Sequence, residues 1–419
     1  MKRRTFLLLA VAALLLALPA PALNAGRTWY VSQITGSDQN DGSRERPLMH
    51  IQRAVELASS GDVIRVAEGN YYGLQNSGNI KIDKGVSIFG GYATDFSKRN
   101  ILTHRTFIQP SASSNTTAMG QGTVQINVRQ SGTLVELDGL ILDRGNSVAY
   151  SPRDEGRPEG VETGMMQPTG TAGIGAPGVP EEKVYTSESA LVYINTGSRC
   201  DVTIRNCAFL NGPNYGLLGS TYSTKILIDN CIFVNIRMAA VELRGASSVT
   251  NSETRFTHNT VLFIWSRLKD LSDMGYGYRY MPKMDSRLDH NIFGCCILAG
   301  LDRTPVDSPA EKEAERVTTC ENSLFFQNRR TDLTLPGGGM PLCVSVRDFG
   351  DVEQLDDSDD NKAVDDPSVF GGALNEAYLH GFLDVSATRM FANHYPVADA
   401  LKLFGAVPGY GAQLPVNQD

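Results

Sequence analysis

Residues 225–287 form the segment of the chain that is best suited to bind a charged ligand. This segment contains nine Lys or Arg residues and six Asp or Glu residues, although the whole chain has a formal net charge of −8. It also contains three closely spaced tyrosines. Arginine and lysine pair with carboxylate and sulfate groups, and aromatic faces can stack on sugar rings. We therefore expect this segment to contact an acidic polysaccharide.

The strongest candidates lie on a predicted strand and on the predicted loop that follows it. In the run 240–245, Glu242 and Arg244 alternate with apolar residues, so both charged side chains would face outwards. If the protein is a lyase, Lys269 or Lys283 could act as the base once deprotonated, which neighbouring arginines would favour. The candidate catalytic residues are Lys283, Lys269, Arg244 and Glu242, and the candidate substrate-binding residues are Arg237, Tyr276, Tyr278, Arg279 and Tyr280. The alternative is a solvated loop whose tyrosines pack on the protein wall.

Two other patterns could bind a metal ion. His258 and His290 occupy equivalent positions of a repeat, as a ligand pair or simply as stacked corner residues. The stretch 348–366 has nine acidic residues, and 356–361 could offer oxygen ligands to calcium; the alternative is a solvated acidic loop. No metal site is assigned, and calcium is the cofactor left open. Gly-x-Ser-x-Gly and His-Glu-x-x-His motifs are absent, which disfavours hydrolases and zinc proteases of those kinds.

An internal repeat supplies the framework for these residues. The segments 202–209 and 226–233 share an alternating strand, an Asn-Cys corner and a second apolar pair, 24 residues apart. The same frame returns at longer intervals in 256–261, 288–293 and 319–324. A parallel solenoid stacks equivalent strands about 4.8 Å apart, so only its loops absorb changes in length. Asn suits the corner because it tolerates left-handed backbone and its amide can bond to the next Asn in the stack.

The repeat predicts the domain organisation. A helix over 48–60, with Ile51, Val55 and Ala58 on one face, should cap the first turn. The solenoid should span residues 26–330, interrupted by a Gly- and Pro-rich insertion at 145–188 that is either disordered or a functional flap. An irregular C-terminal region, 331–419, should hold the acidic loop and a short closing helix within 397–404.

A series of short motifs marks the start of the mature chain. It consists of Trp29-Tyr30-Val31-Ser32, Gly36-Ser37-Asp38, Asn40-Asp41-Gly42-Ser43, Pro47, Ile51-Gln52, Gly61-Asp62-Val63-Ile64 and Gly69-Asn70-Tyr71. The series resembles the opening shared by family nine pectate lyases and other secreted right-handed parallel β-helix proteins. The resemblance implies that fold. It also implies a lysine base assisted by calcium in an Asp cluster, but 214–219 and 239–245 together offer one carboxylate, so the chain departs from that cluster.

The first 25 residues predict a signal peptide. Basic residues at 2–4 precede an apolar run at 6–18, and small residues follow. The residues at 3–7 also resemble a twin-arginine signal, so both export routes stay open. The apolar run is too short for a membrane span, and no later segment has about 18 consecutive apolar residues. We expect a secreted or periplasmic protein without a membrane span once the signal is removed.

The composition excludes other classes of protein. The chain is 41% hydrophobic and 20% charged, which is typical of a globular protein, and its acidic net charge gives no driving force for nucleic-acid binding. The seven cysteines lack a C-x-x-C pair, which argues against a zinc site. We expect them to be buried, small apolar side chains, an interpretation that allows for one or two disulfides.

Taken together, these patterns predict an all-β, single-stranded right-handed parallel β-helix with an N-terminal capping helix, acting as a monomer. Two functions remain open because a fold does not define an activity. The protein could be a carbohydrate-active enzyme, in particular a lyase of an acidic, uronate-containing polysaccharide. It could instead be a non-catalytic cell-surface or envelope protein that binds a polysaccharide or another surface partner.

Overall fold

The computed structural model describes residues 26–71, 80–109, 122–143, 190–265, 274–305, 316–337, 340–383 and 395–416. The predicted signal peptide, the insertion 145–188 and Lys269 lie outside these residues. Within the described parts, the strands form three sheets of nine strands each, which we call sheets A, B and C.

Each sheet takes every third strand along most of the chain. Sheet A contains β1 (Thr28–Val31), β2 (Val63–Ala67), β5 (Ser87–Tyr92), β8 (Thr133–Asp138), β11 (Cys200–Arg205), β14 (Lys225–Asp229), β17 (Ser252–Thr257), β20 (Met284–Asp289) and β23 (Thr318–Glu321). Sheet B contains β3 (Gly69–Tyr71), β6 (Thr106–Ile108), β9 (Ile141–Asp143), β12 (Ala208–Leu210), β15 (Ile232–Ile236), β18 (Thr260–Ile264), β21 (Ile292–Cys296), β24 (Leu324–Phe326) and β27 (Lys362–Val364). Sheet C contains β4 (Ile80–Ile82), β7 (Gly122–Ile126), β10 (Ala190–Asn195), β13 (Tyr215–Thr221), β16 (Ala239–Gly245), β19 (Tyr276–Tyr280), β22 (Ala299–Arg303), β25 (Thr331–Leu335) and β26 (Leu342–Val344).

The chain passes from sheet A to sheet B to sheet C in each turn, and neighbouring turns pair in parallel register. Val202 pairs with Ile226, and Ile226 with Thr254, in three successive turns of sheet A. The antiparallel pair of β25 and β26 at the end of sheet C is the exception among the strands above. The predicted parallel β-helix is therefore confirmed.

The corner between sheets A and B, which we call the A–B corner, contains the predicted ladder. Its five equivalent residues are Asn206, Asn230, His258, His290 and Asn322, all with left-handed φ values from 47° to 55°. Asn230 Nδ2 donates to Asn206 Oδ1 at 2.7 Å. Side chains also stack inside the solenoid, where the rings of Phe209 and Phe233 lie 4.4 Å apart and nearly parallel. The repeat in the sequence thus corresponds to the stacking of turns.

A second, buried ladder lies one residue further along the same corner. Asn259 Nδ2 donates to Ile228 O at 3.0 Å, while Asn259 Oδ1 accepts from Cys231 N at 2.9 Å. Asn291 repeats this arrangement one turn later, with Phe256 O and Asn259 N as its partners. These amides satisfy backbone groups that the sharp corner would otherwise leave buried and unpaired.

The N-terminal end of the core is closed by helix α1 (Ile51–Leu57). Its buried residues Ile51, Ala54 and Val55 join the main hydrophobic core, as does Ala58 just beyond the helix. The predicted cap is confirmed, although the helix is shorter than the span 48–60.

The C-terminal region is more regular than expected. Strands β25 to β27 continue the sheets, so the predicted end of the solenoid near residue 330 is too early. A 3₁₀ helix, Val346–Asp351, then contributes Val346 and Phe349 to the main core, followed by Val352 and Leu355. This segment closes the C-terminal end of the core.

The predicted closing helix has another role. Helix α3 (Val397–Leu401), helix α2 (Glu376–Leu383) and a 3₁₀ helix at Pro367–Phe370 belong to a separate apolar cluster on the outer face of sheet B. Phe263 and Trp265 of that cluster contact Phe382 of α2, with ring centroids 5.8 and 5.1 Å apart. Helix α3 therefore covers a side of the solenoid, and the prediction that it closes the end is wrong.

All seven cysteines are free, and six of them are buried; Cys343 is exposed. Burial raises the pKa of the Cys320 thiol to about 12, which makes it unreactive. No helix of the described residues is long and apolar enough to span a membrane.

Candidate functional site

The outer face of sheet C carries the charged residues singled out in the sequence. In β16, Val241 and Leu243 are fully buried, whereas Glu242 and Arg244 are partly exposed, as the alternation predicts. The parallel register stacks Glu242 over Arg279 of β19, and Arg279 over Asp302 of β22. Three charged groups from three successive turns therefore lie in one column.

Arg279 is held between the two carboxylates of this column. Its Nη1 donates to Glu242 Oε2 at 2.6 Å and its Nε donates to Asp302 Oδ2 at 2.8 Å. The Arg279 guanidinium also lies over the ring of Tyr276, 5.1 Å from the centroid. Burial opposes the charge, but the carboxylates of Asp302 and Glu242 outweigh it and raise the pKa of Arg279. Arg279 is thus a permanent cation that internal partners already neutralise.

The chain segments that carry Arg244 and Lys283 approach each other at the end of sheet C, where the chain turns towards sheet A. Gly245 N donates to Pro282 O, and Ser252 N donates to Lys283 O, both at 3.1 Å. A Cβ atom at Gly245 would collide with the Lys283 carbonyl oxygen, so the close approach of the two turns requires glycine. Lys283 itself has left-handed backbone, with φ of 59°. The turn places two basic residues on adjacent levels of the same edge.

The tyrosines differ from the prediction. They lie on strand β19 rather than in a loop, and Tyr278 and Tyr280 are fully buried. Tyr278 OH donates to Ser286 Oγ, and Tyr280 OH donates to Thr319 O, both at 2.9 Å. Burial raises the pKa of Tyr278 to about 12. These two rings cannot stack on a sugar, so that part of the prediction is wrong.

The other predicted site residues within the described part of the chain, Tyr276 and Arg237, are not placed to contact a polymer along the outer face of sheet C. Tyr276 is 6% exposed and lines a cavity of about 290 Å³ together with Arg279 and Asp302. Arg237 is 2% exposed and its Nη1 donates to Asn214 Oδ1 at 3.2 Å, which contradicts a direct contact with a polymer. Lys269 lies outside the described residues.

Three outward residues of sheet C were missed. Tyr193 and Leu218 precede Glu242 in the same column, and both are partly exposed. Asp302 completes the column on the far side of Arg279. The period-two alternation of 190–195 and 299–303 was the available signal, but it had to be combined with the register of the turns.

The candidate metal ligands have structural partners. The rings of His258 and His290 stack with centroids 5.0 Å apart, and His290 Nδ1 lies 2.8 Å from Asp289 Oδ1. In the acidic stretch, Asp356 Oδ2 accepts from Thr318 N at 2.6 Å. The described part of the chain contains no group of three or more His, Cys, Asp or Glu side chains placed to hold a metal ion. The interpretation of the two histidines as stacked corner residues accounts for their positions. No calcium site can be assigned among the described residues.

Comparisons with known proteins support the same architecture. Residues 34–144 match the model of a family described as a protein of unknown function (DUF1565), and residues 189–300 match the model described as a right handed beta helix region. Together with the sheet topology, the second match defines the chain as a right-handed parallel β-helix. A search of curated proteins finds no significant match.

Two solved structures match this chain over most of its length at low sequence identity. A rhamnogalacturonan lyase is 12% identical, with a TM-score of 0.37, and the match covers 92% of this chain and 100% of that one. A polygalacturonase from Erwinia carotovora ssp. carotovora is 10% identical, with a TM-score of 0.31 and coverage of 83% and 96%. Similarities at this level do not transfer an activity.

Proposed function

We propose that this protein binds an acidic polysaccharide along the outer face of sheet C. The observation that carries the proposal is the placement of Arg244 and Lys283 on adjacent turns at one edge of this sheet. Two basic residues on adjacent turns match the repeated carboxylate or sulfate groups of a charged polymer. They lie in a chain whose net charge is −8, so they mark a local site for an anion on an otherwise acidic protein.

The column beside these cations supports an extended ligand. Leu218 and Tyr193 offer partly exposed apolar surface one turn and two turns before Glu242, respectively. Successive turns lie about 4.8 Å apart, so the sheet presents side chains at a regular spacing along its length. A repeating polymer laid along this axis would meet an apolar stretch and then the basic pair.

Arg279 has a supporting role in this proposal. Its two carboxylate partners fix the middle of the column and offset its charge. The network holds β16, β19 and β22 in register, and this register determines the position of Arg244 relative to Lys283. We therefore do not assign anion recognition to Arg279, and we assign it to Arg244 and Lys283 because of their position at the edge of the sheet.

A lyase reaction is the second candidate, favoured by the same pair of residues. In such a reaction, neutral Lys283 would take the proton next to the uronate carboxylate while Arg244 stabilised the developing negative charge. The released electron pair would form a carbon–carbon double bond and expel the glycosidic oxygen, which would take up a proton. Both candidates predict binding at the same edge, and turnover separates them.

Binding of the purified chain to pectate, alginate and chondroitin sulfate tests the proposal. The variants Arg244→Gln and Lys283→Gln should each weaken binding of the preferred polymer about tenfold, because each removes a charged hydrogen-bond donor. Arg255→Gln is the matched control, since Arg255 is an exposed arginine on sheet A. Binding should also fall with added salt. Equal binding by all three variants and the parent chain would refute the site.

The same polymers distinguish binding from catalysis. Incubation with and without calcium, followed by ultraviolet absorbance of unsaturated products, reports elimination. Absorbance that rises with the parent chain and is lost in Lys283→Gln would establish the lyase. Binding without any unsaturated product would establish the non-catalytic function.

A further inference from the structure

A cavity of about 320 Å³ lies on a different side of the solenoid, outside the A–B corner. Its floor is formed by the corner residues Asn206, Asn230 and His258, from three successive turns. Its outer wall is the C-terminal tail, through Leu414 and Val416. The cavity is separate from sheet C and from the basic pair at its edge.

The tail is fixed to the corner by backbone hydrogen bonds. Gly411 N donates to His290 O at 2.7 Å, Ala412 N to Thr260 Oγ1 at 2.9 Å, and Gln413 N to Asn230 Oδ1 at 2.6 Å. These bonds reach three successive turns, so the wall has a defined position. Leu414 and Val416 just beyond them are 66% and 77% exposed, which is unusual for apolar residues that line a cavity.

The charges that line the cavity balance one another. Arg99 Nη2 donates to Asp138 Oδ1 at 2.6 Å, and both side chains are almost fully buried. Arg205 lies one turn above Asp138 and is paired with Glu136 and Asp138. Asp229, one further turn along, accepts a hydrogen bond from Thr257 Oγ1. Two arginines and two aspartates thus line the cavity, so it has no net attraction for an anion.

Hydrogen-bonding capacity nevertheless remains at this site. The Nε atom of Arg205 is buried and makes no hydrogen bond within the described residues; its nearest carboxylate oxygen, Asp138 Oδ2, is 3.5 Å away. Because this nitrogen atom is enclosed by the protein, a ligand would bond instead to the other polar groups of the lining. The amides of Asn206 and Asn230 already bond within the corner and to the tail, so they hold the lining in place. Asp229 adds carboxylate oxygens that can accept further bonds.

We propose that this cavity binds a neutral saccharide unit. Sugar hydroxyls both donate and accept hydrogen bonds, which matches a wall that mixes guanidinium, amide and carboxylate groups. The C–H face of a sugar ring suits the apolar wall of Leu414 and Val416. A uronate would bring a charge that the balanced arginines cannot accommodate without breaking their ion pairs. The site therefore prefers a neutral ligand, unlike the anion site proposed at the edge of sheet C, and it does not depend on that proposal.

Ligand-detected NMR on the full chain, with D-galactose, D-glucose, D-xylose and D-galacturonate as probes, tests this inference. At least one neutral sugar should bind. In the Arg244→Gln chain, where the proposed anion site on sheet C is weakened, D-galacturonate should bind more weakly than D-galactose. Leu414→Asp should weaken binding roughly tenfold by removing the apolar wall. Asp229→Asn should weaken it as well, because the carboxylate accepts stronger hydrogen bonds than an amide.

Two controls keep the result specific to the cavity. Val249→Asp changes a residue that is 91% exposed and distant in the turn from sheet C to sheet A, and it should leave sugar binding unchanged. Arg244→Gln should also leave it unchanged, which separates this site from the one on sheet C. The inference fails if no neutral sugar binds, if D-galacturonate is preferred in the Arg244→Gln chain, or if neither Leu414→Asp nor Asp229→Asn weakens binding of the neutral sugar.

Discussion

The arginine networks on sheet C and at the A–B corner each pair one arginine with two carboxylates, but they differ in how exposed they are. On sheet C, the side chain of Arg279 is 18% exposed and both of its carboxylate partners are similarly buried. At the corner, the side chain of Arg205 is 37% exposed, and its partner Asp138 has a second cation in Arg99. Each arginine links successive turns and lines a cavity, but Arg205 is the more exposed of the two and shares its carboxylate partner with a second arginine.

The difference separates two uses of one arrangement. An ion pair that is buried and fully paired fixes register, whereas one that is partly open can also offer hydrogen bonds to a ligand. Charged residues on a solenoid surface are therefore poor guides to a binding site until their partners in adjacent turns are known.

The largest expected decrease in the free energy of unfolding follows from replacing Arg279. The variant Arg279→Met leaves Glu242 and Asp302 as neighbouring buried carboxylates, which should lower the free energy of unfolding by about 3–5 kcal/mol. Arg205→Met should cost only about 1 kcal/mol, because the site is more open and Asp138 keeps Arg99. Denaturant unfolding measures both. Equal losses for the two variants would contradict the distinction.

The second effect concerns the amides that stabilise the corner. Asn291→Ala should lower the free energy of unfolding by about 2–3 kcal/mol, because Asn259 N and Phe256 O lose their buried partner. Asn230→Gly should cost less than about 1 kcal/mol, because glycine accepts the left-handed φ of 55° and the site is partly exposed. Thermal unfolding compares them, and a greater loss in Asn230→Gly would reverse the ranking.

The smallest expected change in stability concerns Glu321, which lies one turn after Asp289 on sheet A beside the A–B corner. Burial and the carboxylates of Asp357 and Asp289 raise the pKa of Glu321 above 4.5. The ionised form is therefore disfavoured in the folded state, and this group lowers stability as the pH rises through the window above 4.5. Glu321→Gln should stabilise the protein by about 0.3 kcal/mol at neutral pH, after screening by solvent, and should lose this advantage in acid. Urea unfolding at two pH values checks the sign.

Much of the fold was predictable because it is encoded at short range. The corner residues Asn206 and Asn230 repeat with their flanking strands, and the left-handed backbone they adopt is one that Asn tolerates. The alternation that places Glu242 and Arg244 outwards is equally local. Such patterns survive insertions, since loops absorb the changes in length.

The site was only partly predictable because it depends on register between turns. The spacing from Glu242 to Arg279 is 37 residues and that from Arg279 to Asp302 is 23, so no fixed period brings the three together. The tyrosines of β19 show a second limit: their period-two spacing fits a strand, and the choice of the inward face depends on the whole turn. The tail that walls the cavity returns to Asn230 from 183 residues away, a contact that no local pattern contains.

That returning segment has a further consequence for how the protein unfolds. In a simple solenoid each level touches only its neighbours, so the ends can fray one level at a time. Here Tyr395 bonds to Asn211, and residues 411–413 bond to three later levels, so the segment acts as a brace along the stack. If one of these inner turns unfolded, the C-terminal segment would therefore also lose its hydrogen bonds to the solenoid. We expect these levels to melt together as one cooperative unit, rather than in sequence from an end.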